Sequence, residues 1–205
     1  MPCNLAHEDG LRARGSVLIA GIDEAGRGPL AGPVVAAAVI LPMGFRHGAL
    51  DDSKRLSERT RDSIFSEITG SAEIRWASAI VGSEEIDRIN ILRATHEAMR
   101  RAVARLVPPP DHVLIDGLPV RPFPLPQTAL VGGDGLSFSI AAASVIAKVT
   151  RDRLMVELDA RFPEYGFARH KGYGTPQHLA ALKKHGPASI HRRTFLPVHQ
   201  AELSL

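Results

Sequence analysis

Two apolar runs, and the polar stretch between them, set the pattern of the chain. Residues 17–22 are aliphatic apart from one glycine, and residues 34–41 are aliphatic throughout. Runs of this length, rich in Val and Ile and bounded by Gly and Pro, predict buried strands over 17–23 and 34–41. The connection is too short for a helical crossover, so the two should pair as antiparallel neighbours. After a polar turn, Ser57 caps a helix predicted over 58–69, with Ile64, Phe65 and Ile68 on one face. Residues 74–81 alternate around Trp76 and read as a third strand. Ser83 and Asn90 head a short and a longer helix. In the longer one, Leu92, Thr95, Met99, Ala102 and Leu106 recur at intervals of three and four, and Arg100, Arg101 and Arg105 fall on the face expected to be solvated. Pro108-Pro109-Pro110 stops it. Residues 112–116 and 127–131 are short apolar strands. Residues 137–160 form a long helix whose Ala141-Ala142-Ala143-Ser144 segment is small enough to lie close on a sheet. A loop over 162–176, helical turns near 178–184 and the basic His191-Arg192-Arg193 complete the chain.

Strands interleaved with helices, without repeat, low-complexity tract or linker, imply an α/β fold: a mixed central sheet flanked by helices, with a C-terminal helical extension. Residues 16–205 are expected to be a single domain and residues 1–15 a flexible N-terminus. The chain has 205 residues, 44% hydrophobic and 23% charged, enough for a sizeable core. No run approaches the ~18 apolar residues of a membrane-spanning helix, and the N-terminus lacks the apolar stretch of a secretory signal. Cys3 is the only cysteine, which excludes an intrachain disulfide and suits a reducing, cytoplasmic compartment. The net charge of +3 is compatible with nucleic acid without pointing to it.

The chemistry-bearing residues lie at the ends of the predicted strands. Asp23 and Glu24 follow the first, Asp116 the fourth and Asp134 the last, each near glycine. An Asp before Gly is often only a turn former, as Asp116 and Asp134 could each be. Together with the Asp23-Glu24 pair, however, they describe strand ends converging at one sheet edge, where sites on open sheets lie. Acids that close repel one another unless cations bind between them, and oxygen ligands without thiols suit magnesium or manganese. Successive strand residues face opposite sides, so a shared ion requires Asp23 and Glu24 to meet through a bend near Gly26.

The stretch Asp23-Glu24-Ala25-Gly26-Arg27-Gly28-Pro29 resembles the signature of ribonuclease HII, the type 2 ribonuclease H family. Leu114-Ile115-Asp116-Gly117, Gly133-Asp134 and the run from Ser139 to Asp152 resemble its later motifs. The resemblance implies a ribonuclease H-like fold and an endonuclease that hydrolyses the RNA strand of RNA–DNA hybrids and cuts 5′ of single ribonucleotides in duplex DNA. It implies two divalent ions, Mg2+ or Mn2+, held by Asp23, Glu24, Asp116 and Asp134, and products with 5′-phosphate and 3′-hydroxyl ends. It assigns the reading of a 2′-hydroxyl to Gly26, Arg27 and Gly28, stacking on the neighbouring deoxyribose to Tyr173, and phosphate contacts to Lys54, Lys148 and Arg192. Tyr165 is expected to be structural. Ribonuclease HIII shares the carboxylate plan but carries an added N-terminal domain, for which Asp23 leaves no room. A non-catalytic hybrid-binding protein would be favoured by loss of an acid, and a DNA nuclease of the same superfold would leave Gly26-Arg27-Gly28 and Tyr173 unexplained. A monomer with nucleic acid as its partner and no membrane association is expected.

Overall fold

The computed structural model describes residues 3–50 and 56–203. Five strands, β1 (Ile19–Ala25), β2 (Val34–Ile40), β3 (Arg75–Val81), β4 (His112–Asp116) and β5 (Gln127–Leu130), form one sheet in the order β3-β2-β1-β4-β5. The β1–β2 and β2–β3 pairs are antiparallel, and β1–β4 and β4–β5 are parallel. The mixed sheet and the β1–β2 hairpin match the expectation from sequence, although β1 begins and ends two residues later.

The helices are α1 (Ala6–Arg12), α2 (Glu58–Gly70), α3 (Ser83–Ile89), α4 (Ile91–Ala104), α5 (Phe138–Arg161), α6 (Phe167–His170), α7 (Pro176–His185) and α8 (Leu196–Leu203). Ser57 caps α2 through the Thr60 amide, and Asn90 caps α4 through the Arg93 amide. Ser83 is the first residue of α3 rather than its cap, which is Gly82. One face of the sheet, with Ala20, Ile22, Ala36 and Ala38, packs on Ala94, Ala98, Met99 and Ala102 of α4. The other, with Ala37 and Val39, packs on the Ala141–Ala143–Ala147 side of α5 and on Ile64 and Ile68 of α2. Leu92 leaves the predicted α4 stripe and is 51% exposed, its place at the sheet being taken by the smaller Ala94 and Ala98.

Close approach of α5 to the sheet depends on β1 as well as on the alanines. A Cβ on Gly21 would lie 2.1 Å from the carbonyl carbon of Ser139, so backbone meets backbone there. This fixes α5 over the central strand, beside the acids at its end.

The N-terminus departs from expectation. Residues 6–12 are helical, and Asn4 pairs with the start of α5 through the Phe138 amide at 2.9 Å. The buried Glu8 accepts hydrogen bonds from both hydroxyls of Ser137 and Ser139 (2.6 Å each) and from the Ser139 amide (3.0 Å). An acid is costly to bury, but the positive end and unused amides of a long helix compensate for it. The local sequence, charged and without a continuous apolar run, gives no sign of a partner 129 residues away. Replacing Glu8 by Ala should therefore cost about 2 kcal/mol, the scale of buried hydrogen bonds to a charged group. Denaturant unfolding measures this, and an unchanged midpoint would show that α1 does not clamp α5.

Candidate active site

Parallel pairing of β1 with β4 sets Ile22 opposite Ile115, which brings Asp23 level with Asp116 at the same sheet edge. Asp23 faces α5 and is 4% exposed, with Ser144 of α5 as a hydrogen-bond partner. Asp116 accepts the Gly133 amide at 2.7 Å, and this ties the turn after β5 to the end of β4. Glu24 lies on the opposite side of β1 and pairs with Arg27 at 3.2 Å. The strand does not bend to unite the two acids: β1 stays paired with β2 through Ala25. They share a cavity because it wraps over the sheet edge, reached from either face.

That cavity, about 270 Å³, is lined by Asp23, Glu24 and Asp116, by Gly26-Arg27-Gly28, by Ser144, Lys148 and Arg151 of α5, and by Tyr173. A larger cleft of about 420 Å³ between α2 and α5 lies elsewhere, and its charges pair across it, as in Arg153 with Asp62. Ser144, Lys148 and Arg151 stand at i, i+4 and i+7 on α5, one face of a helix. That spacing was readable in the sequence, yet Ser144 and Arg151 were not singled out as site residues. Lys148 reaches the cavity while paired with Asp152 at 2.7 Å. The Tyr173 ring lies beside Gly28, where a Cβ would be 3.7 Å from the ring edge, and is 47% exposed.

The glycine-arginine loop is held from beneath by two buried arginines. Arg151 donates to the carbonyls of Pro33 (2.9 Å), Lys171 (3.0 Å) and Ala31 (3.2 Å). Arg192 donates to those of Gly32 (3.0 Å), Arg27 (2.8 Å) and Gly26 (2.5 Å). Gly26 has φ +96°, and a Cβ there would come within 2.0 Å of Arg151 Nε. Burial, followed by the charge of Arg151, pushes Arg192 down to about 9, so it remains charged at neutral pH.

The remaining residues of these motifs do not all reach the cavity. Arg192 is fully buried with its donors committed to the loop, and cannot reach a phosphate. His191 is buried against His178, its pKa lowered to about 4 chiefly by desolvation and next by His178, and Arg193 pairs with Glu202. Asp134 is buried in the short 3-10 turn Gly133–Gly135, outside the cavity lining, so three of the four expected acids meet there. Lys54 lies outside the described residues. Tyr165 is buried, stacks on Phe167 and donates to the Gly186 carbonyl, a structural role as expected.

Among the described residues, no three carboxyl, thiol or imidazole groups already stand at ligating distance. The donor set nevertheless fits a hard cation, being all oxygen. Burial raises Asp23 well above the usual carboxylate range, and the charges of Glu24 and Asp116 raise it further. A cation between them would remove the cause of that repulsion.

The strand order and flanking helices define a ribonuclease H-like α/β fold. The chain superposes on the ribonuclease H2 of Pyrococcus horikoshii OT3 with a TM-score of 0.72 and 26% identity, covering 92% of this chain and 98% of that one. Bst-RNase HIII in complex with Mn2+ superposes with a TM-score of 0.71 at 19% identity, covering 93% and 70%. A family model for ribonuclease HII matches residues 20–198. Ribonuclease HII of Geobacillus kaustophilus (strain HTA426) is 56% identical over 196 residues, 96% of this chain and 75% of that protein. The chain belongs to the ribonuclease HII family, whose members are metal-dependent endonucleases acting on nucleic acid. No helix among the described residues is long and apolar enough to cross a membrane.

The raised Asp23 has a testable consequence for the metal-free protein. A carboxyl group raised in the fold withdraws stability as pH climbs from its unfolded value, 3.8, through its folded one. Asp23→Asn removes the ionisation, so in chelator it should melt above wild type at neutral pH, with the gain shrinking towards pH ~4. Melting curves across that range test this; a gain independent of pH would mean that burial and its neighbours do not raise Asp23 in the fold.

Proposed function

We propose that this chain hydrolyses the RNA strand of RNA–DNA hybrids and cuts on the 5′ side of a single ribonucleotide in duplex DNA, leaving 5′-phosphate and 3′-hydroxyl ends. The observation that carries the reading is the meeting, in one cavity, of three carboxylates, the Gly26-Arg27-Gly28 loop and the Tyr173 ring. Asp23, Glu24 and Asp116, with Asp134 as the fourth acid, would hold two Mg2+ or Mn2+ ions. Such ions, when bound, lower the pKa of a water and stabilise charge on a leaving oxygen.

The protein's own groups do the rest. Among the described residues, no hydrogen bond uses the amides of Gly26, Arg27 or Gly28, so the loop has donors to turn towards a sugar hydroxyl. Its carbonyls at 26 and 27 are tied to Arg192, which fixes the direction of the Arg27 and Gly28 amides in the same peptide planes. The 2′-hydroxyl distinguishes RNA from DNA, and a loop without side chains can approach it closely. Tyr173, beside Gly28, offers an aromatic face to the next sugar, where a deoxyribose fits and another 2′-hydroxyl crowds the ring. Lys148 is positioned to neutralise a phosphate at the α5 side of the cavity. A cytoplasmic monomer belongs to the same reading, and the only cysteine, Cys3, allows no intrachain disulfide.

The decisive assay is cleavage of a DNA duplex with one embedded ribonucleotide, with end-group analysis. Mg2+ or Mn2+ should support cutting, excess chelator should abolish it, and Asp116→Asn should lower it at least ~10²-fold. Cleavage in chelator, or cyclic phosphate ends, would overturn the mechanism.

Tyr173→Ala provides a separate check on specificity. It should reduce cleavage of the single-ribonucleotide duplex sharply and that of a continuous hybrid much less. If the ratio of the two rates keeps its wild-type value, the ring does not sense the junction.

A further inference from the structure

The active-site cavity does not end at the carboxylates. A second hollow of about 170 Å³ shares Glu24, Arg27 and Asp116 with it and continues to His96, between Leu92 and Leu118. His96 in turn lines a third, open hollow of about 410 Å³ with Arg93, Arg100 and Arg121. Their shared lining residues set the three in a row, a groove from Tyr173 past the acids to Arg93 and Arg121. Tyr173 lines only its first part, so the acids lie between the two ends.

The far end is basic, and part of its charge is unpaired. It contains three arginines and a histidine and no acid. Arg100 is bonded to Glu97 and to the Pro122 carbonyl. Arg93 and Arg121 are both exposed, and among the described residues neither guanidinium pairs with a carboxylate. This distinguishes them from Arg101 and Arg105 of the same region, which are consumed by Glu85, Glu97 and the Ser78 carbonyl. His96 registers the same positive field: burial lowers its pKa first, and the charges of Arg100 and Arg27 lower it further. Leu92 and Leu118, 51% and 75% exposed, give the middle of the groove apolar walls against which sugar faces can lie. Unpaired guanidiniums along an open groove with apolar walls suit a polynucleotide backbone, since Arg binds phosphate bidentately.

We propose that the groove formed by Arg93, His96 and Arg121 binds the phosphate backbone of the strand being cut, on the 5′ side of the scissile bond. The polarity rests on the functional reading above. With Tyr173 packed on the sugar that follows the ribonucleotide, a strand crossing the acids leaves by the opposite end, which is its 5′ side. The groove therefore anchors upstream DNA while the loop and Tyr173 read the junction.

Binding in chelator, where no cutting occurs, isolates this anchor. A fluorescent duplex with one ribonucleotide is titrated with wild type and with Arg93→Ala/Arg121→Ala over a salt series, followed by anisotropy. The double variant should bind several-fold more weakly, with the slope of log affinity against log salt reduced by about 1 to 2. Trimming the duplex upstream of the ribonucleotide should abolish the difference between the proteins, whereas trimming downstream should preserve it. Arg101→Ala, which removes only an ion-paired guanidinium, should match wild type throughout. Equal affinity and slope for the double variant would overturn the proposal. So would a difference that survives upstream trimming, because the contact would then lie on the other strand or the other side. Wild type is also assayed with Mn2+ on the untrimmed duplex. If it fails to cut there, the functional reading fails; if it cuts but shows no upstream dependence, only the groove assignment fails.

Discussion

The site depends on two positive charges that never touch solvent. Among the described residues, the buried Arg151 and Arg192 have no direct carboxylate partner, and five of their six hydrogen bonds go to carbonyls of residues 26–33, the sixth going to Lys171. A buried guanidinium left unsatisfied would be costly, and so would a loop whose carbonyls lacked donors. Each solves the other's problem. A glycine-rich segment that would otherwise sample many conformations is thereby fixed in one, before any substrate arrives. The cost of ordering it is met on folding rather than on binding, which is what preorganisation means for a recognition loop. The same arginines link distant parts of the chain: Arg151 comes from α5 and Arg192 from the C-terminal region, so the loop is shaped by elements that follow it by more than a hundred residues.

The acid cluster arises from a different constraint. Parallel register of β1 and β4 brings two carboxylates to one level, and β1's own alternation puts a third on the other face of the same edge. At Asp23 the arrangement opposes folding, since this carboxyl group is desolvated and repelled by its neighbours. A sheet edge with apolar residues there would be more stable. Local destabilisation concentrated at one point of an otherwise consistent structure marks a functional site, and here it names the missing component by charge. Arg27, paired with Glu24, supplies part of that positive charge at rest.

How far the sequence could be read follows from the range of the interactions. Strands and helices whose signals are local were readable: the Val- and Ile-rich runs of β1 and β2, the Ser57 and Asn90 caps, and the alanines of α5. The family resemblance, carried by contiguous motifs, named Asp23, Glu24, Asp116, the loop and Tyr173, and these residues line one cavity. What failed depended on partners far along the chain. Helix α1 looked like a charged, flexible end because its stabilising contact is Glu8 on the N-terminus of α5. Arg192 looked like a phosphate contact because a basic run gives no sign of which cation is turned inward. The Arg100, Arg101 and Arg105 face was expected to be solvated, and the spacing alone does not show that ion pairs and carbonyls engage it.

These constraints divide the arginines of the site by burial, and the division matches what each can do. Arg151 and Arg192, with 1% and 0% exposure, cannot meet a ligand and act on shape alone. Arg27 stands half-exposed at the acids, where its charge balances Glu24. Arg93 and Arg121 are exposed at the far end of the groove, where the only gain available to them is an anion from outside. A polyanion approaching this surface meets attraction at the far end and repulsion at the acids until cations fill them. Long-range attraction can therefore orient a strand along the groove, while its advance over the acids awaits metal. An enzyme arranged in this way can hold the wrong strand without cutting it, because holding and cutting draw on charges of opposite sign at different points of one groove.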